Sequence, residues 1–158
     1  EDGSIREIAA DLKGVDPVKR LNPFVRVEAE TMAWSAGINV LPVMTDDGLG
    51  QTPVNLAVTD IDSGDWTAIA NVDFGRGAST FTASVSSAGE GGIMELRLDR
   101  PDGKLIGTLA VPSTNGWDRW TEATTDVTGA EGVHDVYFVF KGKPDRKLFR
   151  FDYWKFNP

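Results

Sequence analysis

Hydrophobic and polar residues alternate with a period of two over most of this chain. The clearest case lies close to the C-terminus, in Leu148-Phe149-Arg150-Phe151-Asp152-Tyr153-Trp154-Lys155-Phe156. Read as one extended strand, it puts Phe149, Phe151 and Tyr153 on one side and Arg150, Asp152 and Trp154 on the other. Near the other end Val25, Val27 and Ala29 alternate with Arg26, Glu28 and Glu30. Between them the same period marks residues 54–58, 66–74, 80–85, 94–98, 105–111, 119–127 and 133–140. Turn signals such as Asp62-Ser63-Gly64-Asp65 and Pro101-Asp102-Gly103-Lys104 separate the runs. About nine strands, with a turn every 8 to 12 residues or so, predict an all-β fold, a two-sheet antiparallel β-sandwich of the jelly-roll kind. On this pattern Trp66 shares the core with Ala68, Ala70 and Val72, and Trp120 and Trp154 are at least partly interior.

Residues 1–23 read differently. Ile5, Ile8, Leu12 and Val15 have partial helical spacing, broken by Gly3, Gly14, Pro17 and Pro23. The division expected is a connector over 1–23, packing on this domain or on a neighbour, and the sandwich over 24–158. The abrupt opening on Glu1-Asp2-Gly3 is what a fragment or an excised module is expected to show. Its 158 residues suffice for one real core. Sixteen Lys and Arg against 24 Asp and Glu, a net charge of −8, argue against nucleic acid and anionic membrane as partners. No apolar run reaches membrane-spanning length. With no cysteine and one histidine, disulfides, thiol chemistry and the usual zinc sites drop out.

Catalytic signals are weak. His134 sits within a strand pattern beside Val136, Phe138 and Phe140 and reads as a structural histidine, and no nucleophile elbow, phosphate loop or His-Glu-x-x-His occurs. The carboxylates are more informative. Glu28 and Glu30, two apart on a strand, share a face at roughly 7 Å. If the first and last strands meet, Asp152 joins them. The three acids are then either solvated and paired with Lys and Arg or gathered round a hard cation, calcium above all. Among the aromatics, Trp117 stands out in the turn-rich Ser113-Thr114-Asn115-Gly116-Trp117, with Trp34 a weaker second. A loop indole either caps the core or stacks on the C–H face of a sugar ring.

At these residues the sequence resembles a family 6 carbohydrate-binding module. The resemblance is carried in order by Val27-Glu28-Ala29-Glu30, by Ile61-Asp62-Ser63-Gly64-Asp65-Trp66 with Val72-Asp73-Phe74-Gly75, by Pro112 to Trp117, and by Val133-His134-Asp135-Val136-Tyr137 leading to Phe151-Asp152-Tyr153-Trp154. Arg97-Leu98-Asp99 and Leu105-Ile106-Gly107-Thr108 add to it, and it covers about residue 22 to the end. The segment before it resembles the junction that follows a family 43 glycoside hydrolase domain in arabinoxylan-degrading enzymes.

The resemblance implies a structural Ca2+ on Glu28, Glu30 and Asp152, completed by backbone carbonyls near residues 46–51. It also implies a sugar cleft at one end of the sandwich, with Trp117 as one wall, and a second site on the concave sheet face. Two positions depart from the family pattern: the second wall, a tyrosine, is Asp60 here, and the hydroxyl-binding asparagine is Arg150. Either the two form an ion pair that obstructs the cleft, or Arg150 recognises a carboxylate such as a glucuronic acid decoration. The function implied is non-catalytic. A secreted plant-cell-wall hydrolase would be targeted to xylan or arabinoxylan through this module, with an N-terminal catalytic domain as its partner in the chain. The alternative is a structural domain that has lost sugar binding and buttresses that catalytic domain.

Overall fold

The computed structural model describes residues 20–46 and 51–158, and the alternating segments form eleven strands. They are β1 (Val27–Glu28), β2 (Trp34–Ala36), β3 (Asn39–Asp46), β4 (Gln51–Thr59), β5 (Trp66–Asp73) and β6 (Ala78–Ser87), followed by β7 (Gly92–Leu98), β8 (Lys104–Val111), β9 (Gly116–Ala130), β10 (Val133–Lys141) and β11 (Arg150–Asn157). One sheet has the order β3-β4-β11-β6-β9, with β1 also paired to β11; the other is β2-β5-β10-β7-β8. Every strand pairing is antiparallel. The expected sandwich is therefore present, with two strands more than the nine anticipated. β2 and β3 were not anticipated: β2 is exposed throughout and has no buried alternation to show.

The core lies between the sheets and is largely aromatic. Phe138 and Phe140 of β10 meet Phe151 and Trp154 of β11 and the neighbouring Phe149, with edge-on contacts at centroid separations of 5.4 to 6.5 Å. Phe156 packs on Phe74 at 5.0 Å and on Phe81 at 4.9 Å. Each such pair adds about 0.5–1.5 kcal/mol to the burial of the rings themselves. Leu21 joins this core from outside the strands through a parallel bridge to Val72, and the Phe156 N–H donates to the Pro23 carbonyl. The last residues of the expected connector, 20–23, thus pack on this domain. Residues 1–19 lie outside the described part.

Two β-bulges set which side chains face out. On β11 Phe151 pairs with Val85 and Tyr153 with Ser84, so Asp152 is the extra residue. The alternation slips there by one. Phe151, Trp154 and Phe156 point inward, while Asp152 and Tyr153 both reach the outer surface. Tyr153 and Trp154 have exchanged the sides a regular strand assigns them. On β5 Val72 pairs with His134 and Ile69 with Val136, so Ala70 and Asn71 together oppose Asp135. Asn71 takes φ +55, a conformation Asn tolerates better than most residues, and its N–H donates to the Asp135 carboxylate at 2.9 Å. Val72 and Phe74 therefore face the core with Thr67 and Ile69, and Trp66 is turned out with Ala70. Trp66 is not the core tryptophan that unbroken alternation predicts.

Candidate functional site

The Asp152 bulge gives the outer face of the six-stranded sheet its charge. Glu28 pairs with Tyr153 across β1 and β11, and the Ala29 N–H donates to the Asp152 carbonyl, so the first and last strands do meet. Asn55 of β4 bridges the two acids, its amide donating to Glu28 at 3.0 Å and to Asp152 at 2.7 Å. Arg26 forks onto Glu28 at 2.7 and 3.0 Å and lies 3.9 Å above the Tyr153 ring. The Tyr153 hydroxyl donates to Glu122 at 2.6 Å. Arg26, Glu28, Asn55, Asp152 and Tyr153, with Trp120, line a broad groove of about 630 Å³. Trp120 is thus a half-exposed wall of this groove.

Electrostatics separate the three acids. The hydrogen bonds from Arg26 hold the Glu28 carboxyl below its ordinary range. Burial pushes Glu30 and Asp152 upward, and the charge of Glu28 adds to the effect at both. One carboxylate oxygen of Glu30, Oε2, is buried with no hydrogen-bond partner. Such an atom costs free energy unless something answers it. Oxygen donors with a surplus of negative charge suit a hard cation. The arrangement is nevertheless not a closed ligand set: among the described residues no group of three or more acidic or histidine side chains is placed to hold an ion as it stands. Residues 47–50, part of the loop expected to add carbonyls, lie outside the described residues.

Trp117, Asp60 and Arg150 come together in a cleft at one end of the sandwich, with Thr59, Lys147 and Phe149. Trp117 is the second residue of β9 rather than part of a loop, and its carbonyl accepts from the Ser86 hydroxyl at 2.7 Å. The indole is half-buried. The expected Asp60–Arg150 ion pair is not formed. Arg150 pairs with Asp118 at 3.2 Å and donates to the Trp117 carbonyl, and its guanidinium lies 5.4 Å from the Trp117 ring centroid. Asp60 accepts instead from Asn39 on its side chain and from Lys147 on its carbonyl, both at 2.9 Å. Each side chain is taken up by another partner, Arg150 by Asp118 and Asp60 by the Asn39 amide. The remaining space is about 160 Å³, below the roughly 300 Å³ at which small-molecule pockets begin.

A third surface takes in Trp34, the weaker of the two tryptophan candidates. Trp34 of β2 and Tyr137 of β10 both pair with Ala68 of β5, and Trp66 is two residues from Ala68, so all three rings stand on the outer face of the five-stranded sheet. Trp66 and Tyr137 pack at 5.4 Å between centroids with a 48° tilt. Trp34 is 49% exposed, and Ala68 is buried beneath the group. The Arg97–Glu95 ion pair, 3.0 Å, continues the face on β7. A strip of rings with polar groups beside it presents apolar faces and hydrogen-bonding edges together. Asn71, a residue type that tolerates the positive φ seen here, is the sequence feature that could have signalled the bulge behind this face.

His134 is structural, its Nδ1 at 3.0 Å from the Asp99 carboxylate.

The protein-family model described as carbohydrate binding module (family 6) matches residues 28–158. The arabinoxylan arabinofuranohydrolase of Bacillus subtilis (strain 168) is 52% identical over 158 residues, covering 99% of this chain and 30% of that protein. A crystal structure of a glycoside hydrolase family 43 arabinoxylan arabinofuranohydrolase from Bacillus subtilis, in complex with cellotetraose, superposes with a TM-score of 0.82 at 52% identity, over 99% of this chain and 31% of that one. A family 6 carbohydrate-binding module from Clostridium cellulolyticum in complex with xylose is 38% identical, with a TM-score of 0.79 over 87% of this chain and all of that one. This chain spans less than a third of the Bacillus subtilis enzyme.

Proposed function

Because the chain belongs to carbohydrate-binding module family 6, we propose that it is the polysaccharide anchor of an arabinoxylan-degrading glycoside hydrolase acting outside the cell. It is a non-catalytic module, and its work is binding. The polymer is of the xylan type, in keeping with the substrate named for the Bacillus subtilis relative and the xylose held by the Clostridium cellulolyticum module. Tethering to an N-terminal catalytic domain raises the concentration of that domain at the polymer without any new contact to it.

The observation that carries the reading is the outward-facing strip of exposed Trp34 with half-buried Trp66 and Tyr137. The polymer backbone lies along it, the sugar faces on the rings and the hydroxyls toward Arg97 and Glu95. The cleft of Trp117, Asp60 and Arg150 is the lesser subsite. Arg150 rests against the indole, and the space admits a chain end or a substituent rather than a row of sugars. A buttress that had lost sugar binding would not need an open aromatic strip, so that alternative is not favoured. Affinity electrophoresis in gels of arabinoxylan, glucuronoxylan and β-glucan tests the assignment. Retardation in the xylans supports it, and free migration in all three contradicts it.

The same reading includes a structural Ca2+ on Glu28, Glu30 and Asp152. What supports it is the unpartnered Glu30 oxygen and the mutual repulsion of the acids at the junction of the first and last strands. The ion would supply charge neutralisation and a clasp between β1 and β11, and no chemistry. The Glu28 carboxylate, held by Arg26 in this structure, would be shared between Arg26 and the ion.

A further inference from the structure

The loop after β10 reverses the charge of this acidic chain. Lys141, Lys143, Arg146, Lys147 and Arg150 fall within ten residues, against Asp145 alone, in a protein of net charge −8. Four of these cations, Lys141, Lys143, Arg146 and Lys147, line a cleft of about 260 Å³ with Glu90 and a floor of glycines from the β6–β7 turn. Three of the five are answered: Lys143 by Glu90 at 2.6 Å, Lys147 by Asp62 at 2.7 Å and Arg150 by Asp118 at 3.2 Å. Lys141 and Arg146 have no ion-pair partner among the described residues, and both are exposed.

Position gives this cleft a meaning. Val139 pairs with Trp66, and Lys141, two residues further along β10, pairs with Ile93. Its side chain therefore rises from the same outer face as the aromatic strip, roughly 7 Å beyond the Trp66 row by strand rise. Ile93 beside it is 42% exposed, so the face runs unbroken from the rings to the cations. A neutral polymer has no use for two unanswered charges at the end of its track. A carboxylate does: lysine offers a point charge and arginine a planar fork that takes both oxygens.

We propose that the basic cleft beside Lys141 and Arg146 is a binding site for the carboxylate of a hexuronate side group, borne on a backbone that lies along Trp34, Trp66 and Tyr137. The inference rests on the proposed polysaccharide-binding function and adds to it a preference for acid-decorated xylan. It moves the carboxylate-recognition role from Arg150, whose guanidinium is held by Asp118 and the Trp117 carbonyl.

The test is calorimetric titration with two xylo-oligosaccharides of one backbone length, the first carrying a single 4-O-methylglucuronate and the second bare. The wild-type chain is compared with a Lys141→Gln/Arg146→Gln variant, whose exposed positions leave the core untouched. The acidic ligand is expected to bind the wild type about tenfold more tightly, the worth of one charge-assisted contact. That preference is expected to vanish in the variant and to shrink at high salt. Equal affinities in the wild type overturn the site, as does a preference that survives in the variant. Absence of binding by both ligands overturns the polysaccharide-binding reading itself, a distinguishable outcome.

Discussion

Trp66 and Tyr137 stand on adjacent strands with ring centroids 5.4 Å apart, both on the outer face of the five-stranded sheet. The pairing exists because one residue, Asn71, is inserted into β5 and exchanges the two faces of that strand. A core assignment for Trp66 follows from unbroken alternation, and an outward-facing ring follows from the bulge.

The second bulge makes a sharp stability prediction. Trp154 is fully buried against Phe138 and Phe156, while its neighbour Tyr153 lies half-exposed under Arg26. Trp154→Ala is expected to cost about 3–5 kcal/mol. Tyr153→Ala loses a hydrogen bond and a cation–π contact, for about 1–2 kcal/mol. Denaturant unfolding of both variants checks the order, which reverses if the strand is regular.

Arg150 is expected to restrict the loop-end cleft. Arg150→Asn removes the guanidinium from the Trp117 face and leaves Asp118 on the surface. Xylose-oligomer affinity in that cleft should rise, read as a ligand-dependent change in tryptophan fluorescence that Trp117→Ala abolishes. Adding Asp60→Tyr should raise it further. No gain in either variant counts against an obstructed cleft.

Calcium should act on folding alone. Chelation is expected to lower the melting temperature by several degrees, as removal of any ligand specific to the native state does. The sign for Glu30→Gln then depends on the ion. With chelator present the variant relieves the buried, unpartnered carboxylate and melts higher than wild type. With calcium present it loses a ligand and melts lower. The same sign in both conditions would remove Glu30 from the metal set.

Much of this molecule was legible in its residues. Period-two alternation and the turn signals point to an antiparallel sandwich, and the meeting of Glu28 with Asp152 follows from the pairing of β1 with β11. The gathering of Trp117, Asp60 and Arg150 in one cleft followed from the family resemblance. What escaped were single-residue events. A bulge moves every later side chain of its strand to the opposite face, yet it adds only one residue to a pattern that still alternates on both sides of it. Asp152 and Asn71 are such residues: the first reassigned Tyr153 and Trp154, the second Trp66. The expected Asp60–Arg150 pair failed for another reason. Sequence can place charges at one cleft, but Asp118 and Asn39, which take up the two side chains, are recognisable only once side chains have positions.

The most direct measurement is calorimetry of xylohexaose binding to the wild type, Trp66→Ala and Trp117→Ala. The aromatic strip predicts that Trp66→Ala weakens binding by about tenfold or more, as truncation of a central aromatic anchor does, while Trp117→Ala keeps most of it. Wild-type affinity in Trp66→Ala, with binding lost in Trp117→Ala, would contradict the account.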